Sequence, residues 1–230
     1  MTFWDHLDAL RAHLWRILAV LLVAAVVCFC FKETLFAVVL HPKPADLRLI
    51  NVDIAQQFLT HMRVAFLVAL LLTAPYLVAE LFAFVAPGLY KAERRVTLRA
   101  VGGGVLLFYA GVALNYFAVF PFTVHFLGHY QVASEVENLI SLQSYVDLLL
   151  VMSFVLGVVF ELPVLCWLLA KVGLLKPQFM TRYRRHAIVV ILIVGAVVTP
   201  TGDPFTLSMV SAPIYLLYEL SILIVKKSAR

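Results

Sequence analysis

Residues Leu81–Arg99 read LFAFVAPGLYKAERRVTLR, and this stretch decides how the rest of the chain divides. Phe82, Phe84 and Tyr90 are the aromatics that gather at a membrane–water boundary. Pro87-Gly88 is a turn that ends a helix, and Lys91, Glu93, Arg94, Arg95 and Arg99 crowd the residues after it. Apolar runs lie on both sides. Val64–Val85, interrupted by Pro75 and Glu80, precedes the stretch, and Ala100–Val124 follows with no charge in 25 residues. The pattern is a basic loop between two membrane spans.

Composition supports that reading across all 230 residues. Charged residues make up 13%, about half the usual share of a soluble domain, and the mean hydropathy is +0.99. A soluble protein with net charge +5 would suggest a nucleic-acid partner; here the basic residues sit at the ends of apolar runs, so none is expected. Cys28, Cys30 and Cys166 all lie inside apolar runs and read as packing residues, without a disulfide or metal role.

Taken in order, Phe3, Trp4, Leu7, Leu10 and Leu14 alternate with Asp5, Asp8, Arg11 and His13, which predicts an amphipathic N-terminal helix lying in the interface. No small-residue cleavage site follows the first apolar run, so that span is expected to be retained. The expected fold is all-α: a single integral-membrane domain over 1–230, with spans near 14–40, 64–85, 100–124, 148–170, 187–199 and 205–225. The apolar cores of the last two, 187–198 and 205–218, reach only about 18 and 21 Å. Either flanking residues extend them or the bilayer thins locally. The Gly102-Gly103-Gly104 triplet and Gly111 predict close helix approach in the third span.

Six spans put both termini on one side. Fourteen of the 18 Lys and Arg residues fall on that side, and only Lys32, Lys43, Arg48 and Arg63 on the other. The bias predicts cytoplasmic termini and a cytoplasmic 86–99 loop. Loops of about twenty residues at most leave no room for a catalytic domain, and no internal repeat points to an inverted-repeat transporter.

Glu161, within GVVFELPV, is the sharpest single residue. A charge deep in a span costs about 2.5–3.5 kcal/mol on insertion scales, and such residues face a partner helix or a wet cavity. Pro163 frees a carbonyl nearby and favours a kink. Ser153, Ser208 and Ser211 have no nucleophile setting, so no enzyme activity is expected. His125 and His129 share a metal-site spacing but lack further ligands, so no metal or other cofactor is expected. A different functional class, a small ion- or proton-coupled transporter titrating Glu161, remains open from these residues alone.

Five ordered segments, FWDHLDALRAHLWR, FVAPGLYKAERR, GVVFELPV, VVTPTGDPF and APIYLLYE, resemble the signature segments of the TatC family. These proteins are receptor and core subunits of the twin-arginine protein translocase. The resemblance spans nearly the whole chain. It implies a cup-shaped, six-span bundle in a bacterial-type cytoplasmic (inner) membrane, with short fifth and sixth spans. The implied function is binding the twin-arginine signal peptides of folded precursor proteins and driving their export with the proton-motive force. The implied partners are single-span subunits of the TatA and TatB type, membrane lipids and further copies of the chain.

By the same resemblance Glu93, Arg95 and Phe84 match signal-binding positions, and a guanidinium suits a carboxylate through bidentate, charge-assisted bonds. Glu161 matches an intramembrane glutamate that meets a polar side chain on a partner helix. Asp203 matches the acid of the last external turn, and Arg63 the basic residue at the start of span two. Two positions depart from the family pattern. Ala9 stands where a second signal-binding glutamate is usual, leaving Asp8 as the candidate one residue earlier; Thr206-Leu207 replaces a Ser-Gln pair after Asp203.

Overall fold

The computed structural model describes residues 3–85, 94–133, 138–171, 173–199 and 202–228, with backbone alone for 3–9, 81–85, 94–100, 198 and 228. Helix α1 (Phe3–Cys30) breaks at Phe31, where φ −97° and ψ 44° leave helical geometry, and α2 (Lys32–Leu40) follows. Helix α3 is Gln56–Val85 and α4 is Arg94–Leu114. A π-helical segment, Asn115–Val119, joins α4 to α5 (Phe120–His129) without a break in the rod. Helices α6 (Leu142–Val159) and α7 (Leu162–Lys171) meet at a turn over Phe160 and Glu161. Then come α8 (Pro177–Arg182), α9 (Arg184–Val198) and α10 (Pro204–Ser228).

Among the described residues five segments are long and apolar enough to cross a membrane: Leu10–Cys30, Gln56–Glu80, Val101–His129, Leu142–Lys171 and Pro204–Lys227. Helix α9, at the expected fifth span, has 15 residues and is not one of these five, rising about 22 Å against a hydrocarbon thickness of ~30 Å. The chain is a polytopic, all-α membrane protein, as its sequence predicts.

Element boundaries differ from the expected ones in instructive ways. The N-terminal amphipathic segment is not a separate element; its backbone runs without interruption into the first span. That span ends at Cys30, and 32–40 forms its own short helix. The second span begins at Gln56, eight residues early, because Gln56 Oε1 accepts from the backbone N–H groups of Val52 and Asp53 at 2.6 and 3.2 Å and organises the turn before it. The third span continues to His129, and the fourth starts at Leu142, where Ser141 Oγ accepts from Ser144 N at 3.1 Å as an N-cap. Flanking residues extend the last helix to 25 residues. It runs past the apolar core because Arg184 Nη2 meets Glu219 Oε2 at 2.7 Å, so the acid does not end the helix. Lys226 and Lys227 then complement the carbonyl end of the helix dipole.

Helix α6 is the centre of the packing. Tyr145, Val146, Met152 and Leu156 are almost fully buried, against Phe120 of α5, Val64 of α3, and Val210 and Ile214 of α10. Its contact with α4 is close because two glycines face it. A Cβ on Gly111 would fall 2.6 Å from the Leu156 carbonyl oxygen and 2.8 Å from the Phe160 ring; one on Gly157 would fall 2.8 Å from Phe108. Small residues let backbones approach where lipid supplies no hydrophobic drive. Just beyond, buried Asn115 Nδ2 donates to Ser153 Oγ at 2.8 Å and to the Leu149 carbonyl at 3.3 Å.

At one end of the bundle the loops are tied together. Leu49–Ile50 (β1) pairs in parallel with Ile140–Ser141 (β2), Asp46 bonds His129, and Phe126 stacks on Phe205 at 4.2 Å. At the other end α1 packs along α3, and α7 and α8 pack on α10 through Met180, Ile222 and Val225, where Tyr218 donates to the Met180 carbonyl at 2.8 Å.

Gly111→Val is expected to cost about 1–3 kcal/mol by forcing a branched side chain into the α4–α6 contact. The readout is the SDS-titration midpoint of the protein in mild-detergent micelles, and an unchanged midpoint would mean the two helices are free to separate.

Candidate functional site

Helix α3 ends at Val85, and residues 86–93 lie outside the described residues. Five residues back along that helix, about 7.5 Å of rise, Glu80 is the hub of a polar cluster between α1 and α3. His13 Nδ1 hydrogen-bonds Glu80 Oε2, Arg16 Nη1 lies 4.0 Å from the same oxygen, and the Tyr76 hydroxyl bonds the carboxylate as well. The Glu80 side chain is 13% exposed and that of Arg16 60%, so the acid is enclosed while the guanidinium beside it is open. Sequence reading noted Glu80 only as an interruption of a span. His13 and Glu80 are 67 residues apart, and nothing local signals that they meet.

The expected signal-binding residues cluster by element. Glu93 lies outside the described residues. Phe84 falls in the last turn of α3, Arg95 in the first turn of α4, and Asp8 about one and a half turns before His13 on α1. Their backbones sit on the helix ends that adjoin the Glu80 cluster.

Glu161 occupies the turn between α6 and α7. Its N–H reaches back to the Val158 carbonyl at 3.1 Å, while Pro163 has no N–H to continue the ladder. The side chain crosses to α4, where a Cβ on Gly104 would lie 2.7 Å from Glu161 Oε2 and 3.1 Å from Oε1. Of the glycine triplet, then, only Gly104 makes room for the carboxylate; Gly102 faces open space. Glu161 Oε1 is buried and has no hydrogen-bond partner among the described residues. An unsatisfied carboxyl oxygen is costly in a medium without water, so the site favours a donor brought by something else.

Asp203 precedes α10, and its Oδ1 accepts from Thr206 N at 2.7 Å, with Pro204 at the first helical position: an N-cap arrangement. Arg63, expected at the start of the second span, lies two turns inside α3. There its Nη1 meets Asp147 Oδ2 of α6 at 2.8 Å, both side chains more than a third exposed. His129 stacks on His125 at 4.4 Å, with Nδ1 2.7 Å from the His125 carbonyl and Nε2 against Asp46. Both ring nitrogens face acceptors, which leaves neither as a metal ligand. The hydrogen bond from His129 holds the Asp46 carboxyl below the usual carboxylate range.

The family model described as "Sec-independent protein translocase protein (TatC)" matches residues 5–213. The chain belongs to the TatC family. It is 30% identical to a TatC of Carboxydothermus hydrogenoformans over 98% of this chain and 93% of that protein. It is 31% identical to TatCy of Bacillus subtilis, over 100% and 91%. A chloroplastic TATC of Arabidopsis thaliana is 35% identical over all of this chain and 68% of its own. A crystal structure described as the twin arginine translocase receptor TatC superposes with a TM-score of 0.84 at 27% identity, covering 98% of this chain and all of that one. Membership in TatC makes this a membrane-embedded component of the Sec-independent protein translocase, in the Tat pathway of protein transport.

Glu80→Ala leaves His13 and Arg16 without their acid and is expected to cost about 1–3 kcal/mol. Faster amide hydrogen exchange in residues 10–30 is the measurement; exchange equal to that of the parent would place the anchor of α1 elsewhere.

Proposed function

We propose that this chain is the receptor for twin-arginine signal peptides and the core subunit for exporting folded precursor proteins. It lies in a bacterial-type cytoplasmic membrane with both termini and the 86–99 loop in the cytoplasm. The observation that best supports this reading is the similarity of nearly the whole chain to a solved twin arginine translocase receptor. The 14-to-4 distribution of Lys and Arg supports this orientation.

In this reading Glu93 accepts a signal guanidinium, with Arg95 and Phe84 shaping the same loop and Asp8 on α1 supplying a second carboxylate. The Glu80 cluster holds α1 against α3 so that the two carboxylates stay within reach of one peptide. Neighbouring Lys91, Arg94 and Arg95 carry the same sign of charge as an arginine ligand, which makes the second carboxylate important to binding. Glu161 takes a hydrogen bond from a polar side chain on the helix of a TatA- or TatB-type subunit, which satisfies its unpaired oxygen. Asp203 and Arg63 fix the opposite end of the bundle, Asp203 by starting α10 and Arg63 by bridging α3 to α6. Receptor chains associate with one another in the same complex.

The unpaired Glu161 oxygen also suits a second reading, a proton- or ion-coupled transporter that titrates this residue. Glu93 separates the two, because a transporter has no use for a guanidinium site in the loop. Glu93→Lys is expected to abolish crosslinking to a twin-arginine signal peptide while membrane insertion and abundance stay normal; undiminished crosslinking would remove Glu93 from the site. Glu161→Ala is expected to impair assembly with the single-span subunits more than signal binding. Parental assembly in that variant, judged by co-purification, would return Glu161 to a purely structural role.

A further inference from the structure

A cavity of about 800 Å³ opens between α8, the start of α9 and the end of α10, lined by Gln178, Thr181, Arg184, Leu223, Lys226 and Lys227 among others. Three cations share one wall. Arg184 is held in place through Glu219, whose Oε2 takes the 2.7 Å bond from Nη2 and whose Oε1 accepts from Tyr215 at 3.2 Å. The Arg184 side chain nonetheless stays 45% exposed. Among the described residues no carboxylate pairs with Lys226 or Lys227. The Gln178 amide and Thr181 hydroxyl add neutral hydrogen-bonding groups to the same cavity. Unneutralised cations beside such groups form a site for a phosphate.

The apolar surroundings decide which phosphate. Helix α10 is long and apolar enough to cross a membrane over Pro204–Lys227, which puts Lys226 and Lys227 at the end of the apolar segment, where headgroups are expected. Below them Leu216, Leu220 and Leu223 are exposed at spacings of four and three, one stripe of the helix that leads to Lys227 four residues on. A free anion would use the cations alone. A phospholipid uses both parts at once, its acyl chain along the leucines and its phosphodiester on the lysines and Arg184.

We propose that this cavity is a binding site for an anionic phospholipid, with the phosphodiester headgroup held by Arg184, Lys226 and Lys227 and an acyl chain lying on the Leu216–Leu220–Leu223 stripe. The site stands whichever way the bundle faces, because the ends of α8–α10 form a membrane boundary in either orientation. A lipid here adds to the Arg184–Glu219 pair, the Tyr218–Met180 bond and the Met180–Ile222–Val225 packing that join α8 and α9 to α10.

The test uses the full chain in mild detergent, titrated with phosphatidylglycerol or phosphatidylcholine and read by native mass spectrometry of retained lipid. Phosphatidylglycerol is expected to be retained in preference to phosphatidylcholine. Lys226→Gln/Lys227→Gln is expected to weaken retention about thirtyfold, from roughly a fivefold factor per cation. Leu223→Ser, at an exposed position, is expected to weaken the lipid as well. The pair Lys171→Gln/Lys176→Gln removes the same charge at the same boundary outside the cavity and is expected to leave retention unchanged. Equal losses in the two lysine pairs would overturn the site in favour of diffuse charge. Competition by millimolar inorganic phosphate with no effect of Leu223→Ser would reduce it to a free-anion site, and an acidic protein held there with no lipid retained would replace it with a protein interface.

Discussion

A hydrocarbon layer offers no water to a backbone or side-chain polar group, and the arrangement of this bundle follows from that constraint. Each crossing helix satisfies its own ladder, so what remains is to pack helices closely and to pair the few polar side chains carried inside. Helix α6 does both. Glycines at 111 and 157 bring it against α4, and Asn115, held in a π-helical segment, finds Ser153 and the Leu149 carbonyl across that contact. Tyr145 in the same helix donates to the Val39 carbonyl at 3.3 Å, which fixes the short helix after the first break. Glu161 is given space by Gly104 and left with one oxygen unpaired, as is Asn115 Oδ1 among other buried polar atoms.

The two ends of the bundle solve different problems. At one end, a two-residue parallel β-pair, the Asp46–His129 bond and the Phe126–Phe205 stack close the loops into a cap. At the other, polar side chains tie helix to helix: Glu80 gathers His13, Arg16 and Tyr76, and Glu219 gathers Arg184 and Tyr215. Exposed ion pairs contribute little individually. Their effect here is placement, since they set where α1 stands beside α3 and how far α10 extends, and those positions frame the basic loop and the basic cavity.

Much of the architecture was legible because the membrane reduces it to a pattern of apolar length and flanking charge. Long apolar runs announced the crossing helices, and the family segments around Glu93 and Glu161 identified TatC. Boundaries were less legible. Residues 56–63 and 142–147 fall outside the expected spans, yet they form helix, since Gln56 organises the turn before it and Arg63 pairs with Asp147 across two helices. The last span looked short for a similar reason, as Glu219 reads as a terminating charge until Arg184 is placed beside it.

The sequence by itself determined that this is an all-α protein of several membrane spans and which family it belongs to. Those properties depend on hydrophobic length, charge count and ordered motifs, all local or additive along the chain. The tertiary structure alone decided that the interfacial segment continues into the first span, that Gly104 faces Glu161, and that His13 meets Glu80. It also decided that three cations from α9 and α10 share a cavity beside a leucine stripe. Each of these depends on which faces of distant helices are turned toward one another. Helix rotation and axial register are set by packing against neighbours, and no stretch of a single helix encodes them.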